Sequence, residues 1–245
     1  MNTTYNPYLV ILSAFIAILA SYTALELASR VSAARGITRK FWLMGGAIAM
    51  GTGIWSMHFI AMLAFSISIF ISYNLAIVLI SLIAAILASA QAMFIISRPK
   101  PSQIGLLAGS SCMGIGIAIM HYTGMAAMQM PASLEYKPNL FMLSVVIAII
   151  VSFVALKLTI AFRDGAWVKR RWLKITTACV MGGAVLSMHY TGMAAAMFKP
   201  DFSKLVEAAG LDNLSLAYIV CLLTLLIMCM TLATIYINSE AKTSG

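Results

Sequence analysis

Charge is what this chain has least of. Only 9% of its 245 residues are charged and 62% are hydrophobic, whereas a soluble domain carries about 25% charged residues. Too few charges remain to cover a soluble surface, so a soluble globular protein is excluded. Only seven residues are acidic, and none falls in the middle of an apolar run. That excludes a magnesium or calcium site there, because those ions need oxygen ligands. A retinal pump is excluded too, since the last apolar run also lacks a lysine for a Schiff base. No array of acid, base and nucleophile is legible, so an enzyme is not expected. The four cysteines, Cys112, Cys179, Cys221 and Cys229, all lie within apolar runs. No loop holds a pair suited to an extracellular disulfide, and the four are expected to be small buried apolar side chains. The N-terminus lacks the basic start of a secretory leader, so the first run is expected to be a retained helix. The stretch after the last run is short, and no output domain is expected in this chain.

Long apolar runs, by contrast, are abundant. Seven span roughly 8–28, 42–66, 73–96, 104–128, 140–162, 173–197 and 214–237. Crossing a bilayer takes about 20 apolar residues at about 1.5 Å each. Runs this long without alternation predict helices rather than membrane strands. The expected fold class is an all-α membrane protein with seven transmembrane helices, one domain over 1–245, and the lipid bilayer is its first partner. The net charge of +9 is explained by position and is not a nucleic-acid signal. Arg30, Arg35, Arg39 and Lys40 follow run one, and Arg98 and Lys100 follow run three. Lys157, Arg163, Lys169, Arg170, Arg171 and Lys174 surround the link from run five to run six, while the opposite side holds only Lys137, Lys199 and Lys204. Basic loops stay in the cytoplasm. The N-terminus is therefore expected outside and the C-terminus inside a bacterial cytoplasmic membrane.

Histidine is scarcest of all, with three in the chain. His58, His121 and His189 occupy one place in a repeated phrase, and 63 and 68 positions separate them. Each interval holds two runs, so the unit is a helix pair used three times with a seventh helix left over. Such repeats enter the membrane in the same sense and are parallel. Aligned on histidine, the copies share Met50, Met113 and Met181 eight before it and Gly51, Gly114 and Gly182 seven before. They share Met57, Met120 and Met188 one before, and Met62, Met125 and Met193 four after. Nine of the 18 methionines fall in this register.

The histidines stand about 16–17 residues past the predicted inner ends, roughly 25 Å at 1.5 Å per residue. In a core about 30 Å thick they share one level beneath the outer face. With about 100° per residue and histidine at zero, the methionine four after it points near +40°. The glycine seven before points near +20°, and Gly124 and Gly192, three after, near −60°. Bare backbone on that side lets helices approach closely. Thioether with imidazole favours Cu(I), and imidazole also suits Cu(II) and zinc. The methionine at plus four is the better ligand candidate because i and i+4 face together; those at minus one and minus eight read more readily as packing. A collar of histidines bonded to Tyr or Thr of neighbouring repeats, with no metal, remains open. So does haem, which fits three equivalent histidines poorly. Tyr122 and Tyr190 are candidates for hydrogen bonds to the rings or for interface anchors. Glu26 and Arg30, at i and i+4, form a structural pair; Asn74 and Gln91 have no readable role.

The phrases Gly-Thr-Gly-Ile-Trp-Ser-Met-His-Phe-Ile at 51–60, Gly-Ile-Ala-Ile-Met-His-Tyr-Thr-Gly-Met at 116–125 and Val-Leu-Ser-Met-His-Tyr-Thr-Gly-Met at 185–193 resemble the MHYT family of bacterial membrane sensor domains. Ser21–Arg30 also resembles its first helix. The resemblance implies a seven-helix domain that binds copper through Met, His and Cys and answers a diatomic gas such as O2, CO or NO. By position the implied ligands are His58, His121 and His189 with Met57, Met120, Met188, Met62, Met125 and Met193. The first copy reads Met-His-Phe-Ile and has no hydroxyl there. Relatives of this kind join the domain to cyclic-di-GMP or histidine-kinase domains, so output here is expected through a separate signalling protein. Copper storage or delivery is the alternative.

Overall fold

The computed structural model describes residues 3–164, 171–201 and 210–240. Lys169, Arg170 and Lys204 of the charge pattern lie outside the described residues. Within these residues each predicted run is one helix: α1 Pro7–Ala33, α2 Gly36–Ala64, α3 Leu75–Ile96, α4 Gln103–Ala126, α5 Pro138–Asp164, α6 Arg171–Ala195 and α7 Asn213–Glu240. Asn6, Asn74 and Ser102 cap α1, α3 and α4 by accepting from first-turn backbone N–H groups. Asn74 thereby gains a role the sequence did not advertise. The basic ends of α1 and α2 are helical rather than loop. Only Ala34 and Arg35 separate these two helices, and Gly36 makes the reversal at φ +57°.

Among the described residues six helices, all but α6, are long and apolar enough to cross a membrane. α6 is of similar length but carries Arg171, Lys174, Thr176, Thr177, Ser187, His189 and Thr191.

Six short strands, unheralded by any alternation in the sequence, tie off the ends where the His-bearing helices finish. They are β1 Thr3–Tyr5, β2 Phe65–Ile67, β3 Ser72–Tyr73, β4 Met128–Gln129, β5 Ala132–Tyr136 and β6 Ala196–Pro200. β1 pairs with β2, β3 with β4 and β5 with β6, all antiparallel. The repeat is thus strand, helix, His helix, strand. Each pairing closes one helix pair and satisfies backbone groups that leave the helix ends.

The three units close into a ring. α1 packs on α2, α3 on α4 and α5 on α6 within units; α2 packs on α3, α4 on α5 and α6 on α1 between them. α7 lies outside the ring against α2, where Ser56 Oγ meets Thr224 Oγ1 at 2.5 Å. The glycine seven before each histidine makes the contact between units. A Cβ on Gly51 would stand 2.6 Å from Ile86 Cα on α3. One on Gly114 would stand 2.6 Å from Ile149 Cα on α5, and one on Gly182 2.9 Å from the Ile18 backbone N on α1. Backbone cannot step aside for a methyl group, so glycine is required at all three. These glycines hold neighbouring helices close, as expected; the partner is the next unit's first helix.

The other end is tied by charge. The Arg163 guanidinium donates to the carbonyls of Ile96, of Arg98 at 2.7 Å and of Pro99 at 3.1 Å. Arg39 donates to the Ser97 carbonyl. Two cations thereby meet the free C-terminal carbonyls of α3. Glu26 pairs with Arg30 at 3.5 Å as read, and also with Lys174 at 2.6 Å, which joins α1 to α6.

The cysteine expectation is corrected. Cys112, Cys179 and Cys229 are exposed and Cys221 is half-buried. Apolar side chains in a bilayer protein need not turn inward, because the surrounding lipid is as apolar as the core.

Candidate metal centre

His58, His121 and His189 stand five or six residues before the ends of α2, α4 and α6. The closed ring turns all three inward, and each is at most 1% exposed. His58 Nδ1 lies 3.1 Å from His189 Nδ1 and 3.1 Å from His121 Nδ1. One nitrogen from each ring lies within 4.8 Å of the other two, so all three share a single cluster. The common level read from the sequence is present.

The rings are held by threefold contacts. Phe59 packs edge-on against His58, with centroids 4.9 Å apart; Tyr122 does so against His121 at 4.8 Å and Tyr190 against His189 at 5.0 Å. The residue after histidine therefore acts through its ring edge, which Phe59 supplies as well as tyrosine does. Neither tyrosine hydroxyl bonds an imidazole. The Tyr122 hydroxyl meets Ser144 Oγ at 2.6 Å, and the Tyr190 hydroxyl is buried with no partner. The glycine three after histidine receives the neighbouring ring. A Cβ on Gly124 would collide with His58 Nε2, and one on Gly192 with His121 Nε2. Trp55 buttresses Phe59 at 5.1 Å and donates to Ser81 Oγ at 3.1 Å, which fixes the His58 ring from behind.

A further tyrosine tier was missed in the sequence. Tyr73 stacks edge-on against Phe59, Tyr136 against Tyr122 and Tyr5 against Tyr190. All three immediately precede an Asn or Lys and then the first helical residue: Tyr-Asn-Pro, Tyr-Asn-Leu and Tyr-Lys-Pro. That shared phrase was the available signal. Burial raises the Tyr5, Tyr73 and Tyr136 phenols above their ordinary range, so this outer tier is neutral.

The nitrogens do not satisfy one another. A neutral imidazole nitrogen carries either one proton or one lone pair, yet His58 Nδ1 faces two neighbours. It can hydrogen-bond only one. Nε2 of all three rings is buried without a partner. Hydroxyls of neighbouring repeats do not complete a collar. In the tautomer that turns all three Nδ1 lone pairs inward, they repel unless a cation sits among them. Nitrogens at about 2.0–2.1 Å from a common ion stand about 3.3–3.6 Å apart; two of the three pairs here stand at 3.1 Å, and all three lie within 4.8 Å of one another. The donor set fits a copper or zinc ion.

The methionines divide. Met62, Met125 and Met193 are buried one turn beyond the histidines. Met125 lines a cleft beside Tyr122, and Met193 one beside Tyr190. Met57, Met120 and Met188 are all core residues, and Met57 also lines a cavity on the far side of the histidines. Among the described residues no cysteine joins the histidine cluster.

The model for MHYT, described as the bacterial signalling protein N-terminal repeat, matches residues 1–39, 51–109, 114–170 and 182–235. The chain belongs to the MHYT family. Its last three matched segments each begin at or within one residue of the glycine that packs against the next unit. Among curated relatives, MucR of Pseudomonas aeruginosa, a bifunctional diguanylate cyclase/cyclic di-GMP phosphodiesterase, is 44% identical over 99% of this chain and 36% of its own length. NbdA of the same organism, a cyclic di-GMP phosphodiesterase, is 41% identical over 89% of this chain and 28% of its own. The signaling protein YkoW of Bacillus subtilis is 39% identical over 83% and 25%. The chain thus spans a quarter to about a third of these MHYT relatives. No solved structure matches it.

Proposed function

We propose that this MHYT chain is a membrane sensor that holds copper at His58, His121 and His189. Binding of a diatomic gas, or a change of metal or redox state, shifts the packing of α2, α4 and α6. A partner reads that shift and couples it to cyclic di-GMP turnover, the activity in the relatives' names. The single observation that carries this reading is the convergence of three buried Nδ1 atoms, where His58 Nδ1 faces two neighbours and can hydrogen-bond only one of them. Met62, Met125 and Met193 supply soft donors on the outer side, since helical side chains lean back over the preceding turn. In this arrangement α6 crosses the bilayer with the other six, because its histidine shares their level. The basic ends held by Arg39 and Arg163 lie in the cytoplasm, and the strands and histidines lie toward the outside. Copper in a site open to lipid-soluble gases gives the chemistry of reversible gas binding.

Copper content of the purified chain tests this, with and without alanine at the three histidines. One copper lost from the variants, with a carbon monoxide adduct only in the reduced wild type, is the expected result. A folded wild-type protein that takes up no copper overturns it. Storage or delivery of copper is the second reading, favoured by the thioethers that line a cavity deeper in the ring; copper binding without any response to gas selects it.

A further inference from the structure

A second group of soft donors lies deeper in the ring. Met50, Met113 and Met181 stand eight residues before their histidines, close to the middle of α2, α4 and α6. Eight residues of helix place them about 12 Å from the imidazoles. They are 8%, 2% and 5% exposed, and all three line one cavity of about 30 Å³. Met57 adds a fourth thioether to the same wall. Ile54, Ile117 and Val185, four before each histidine, also line it and form an aliphatic tier between the methionines and the histidines. The remaining wall comes from small residues of α1 and from Val151, Ser152 and Ala155 of α5. Ser152 is 1% exposed and its hydroxyl has no partner.

We infer that this cavity is a second, thioether-based site for a soft monovalent cation, Cu(I) or its analogue Ag(I). Three observations carry it. Methionine recurs at one position, eight before histidine, in all three units. The closed ring brings those three side chains to the wall of one cavity. An unsatisfied hydroxyl faces that space, where hydrocarbon packing alone would place an apolar group. The chemistry selects the ion. Neutral thioethers favour Cu(I), and no carboxylate or imidazole lines the wall to neutralise a divalent ion. A single positive charge shared among polarisable sulfurs is the least costly charge to hold in such a place. This site is separate from the histidine centre and does not rest on copper being held there.

The test uses the full chain in detergent, titrated with Cu(I) and with Ag(I) against a competing chelator. The wild type is expected to bind two ions. Met50→Leu, Met113→Leu and Met181→Leu together conserve volume and are expected to reduce the count to one. X-ray absorption on that variant should show nitrogen scattering increased relative to sulfur. Alanine at the three histidines should leave one ion surrounded by sulfur at about 2.3 Å. Two ions still bound by the leucine variant overturn the inference. So does a wild type that takes one ion, lost with the histidines, while xenon enters the cavity, which would make it a packing void. A wild type binding one ion through sulfur alone supports the methionine site and refutes the histidine centre.

Discussion

Gly124→Ala is the sharpest probe of the histidine cluster. The added methyl would collide with His58 Nε2 and stand 2.9 Å from Cδ2 of the same ring and 3.4 Å from Phe59 Cζ. The ring cannot withdraw easily, because Phe59 packs against it and Trp55 holds Phe59 in turn. It must instead tilt, and its Nδ1 is the atom that lies 3.1 Å from both other rings. One methyl group therefore disturbs both of those nitrogen contacts. Overpacking of a tight core costs about 1–3 kcal/mol, and changes behind a ligating imidazole cost about 10–100-fold in metal affinity. A Cu(I) competition titration should show a loss in that range, with a lowered melting temperature in detergent. Gly183→Ala serves as control, since its methyl would meet nothing within 4 Å and alanine favours the helix. If Gly124→Ala binds copper as tightly as Gly183→Ala, the glycine is not the seat of the ring and the geometric argument fails.

Gly114→Ala should weaken the α4–α5 contact, because its methyl would meet Ile149 backbone at 2.6 Å; a destabilisation of about 1–3 kcal/mol, read as a fall in melting temperature, is expected, and an unchanged melting curve would contradict it. Tyr122→Phe removes the 2.6 Å bond to Ser144 and should cost about 1 kcal/mol with metal affinity unchanged. Tyr190→Phe removes a buried hydroxyl that has no partner and should be neutral or stabilising by the same melting assay. Glu26→Gln loosens the tie from α1 to Lys174 of α6; the pair is partly exposed, so about 1–2 kcal/mol is expected, between the surface and buried limits.

Much of this architecture was legible because the membrane simplifies the code. Seven long apolar runs have one satisfactory backbone solution, and each became a helix. Helix ends were less legible, since residues such as Arg39 and Lys40 remain helical while reaching the polar boundary. The strands escaped notice because they are two to five residues long and too short for alternation to be read. The cysteines were misplaced by a rule of aqueous proteins, in which apolar side chains turn inward. Lys174 was invisible as a partner of Glu26 because 148 positions separate them.

For the site, the chain's own repetition determined which residues matter: a polar ring in an apolar run, placed three times at one offset, already implies a common level and a common role. What the imidazoles face was decided only by tertiary structure. Helical periodicity assigns a direction around one helix, but whether three such directions meet depends on closure of α6 onto α1, and nothing local encodes that. Closure puts Nδ1 against Nδ1, seats Nε2 of His58 and of His121 over a glycine of the next unit, and gathers three distant methionines around a single cavity, because only a closed ring has an inside that its members share.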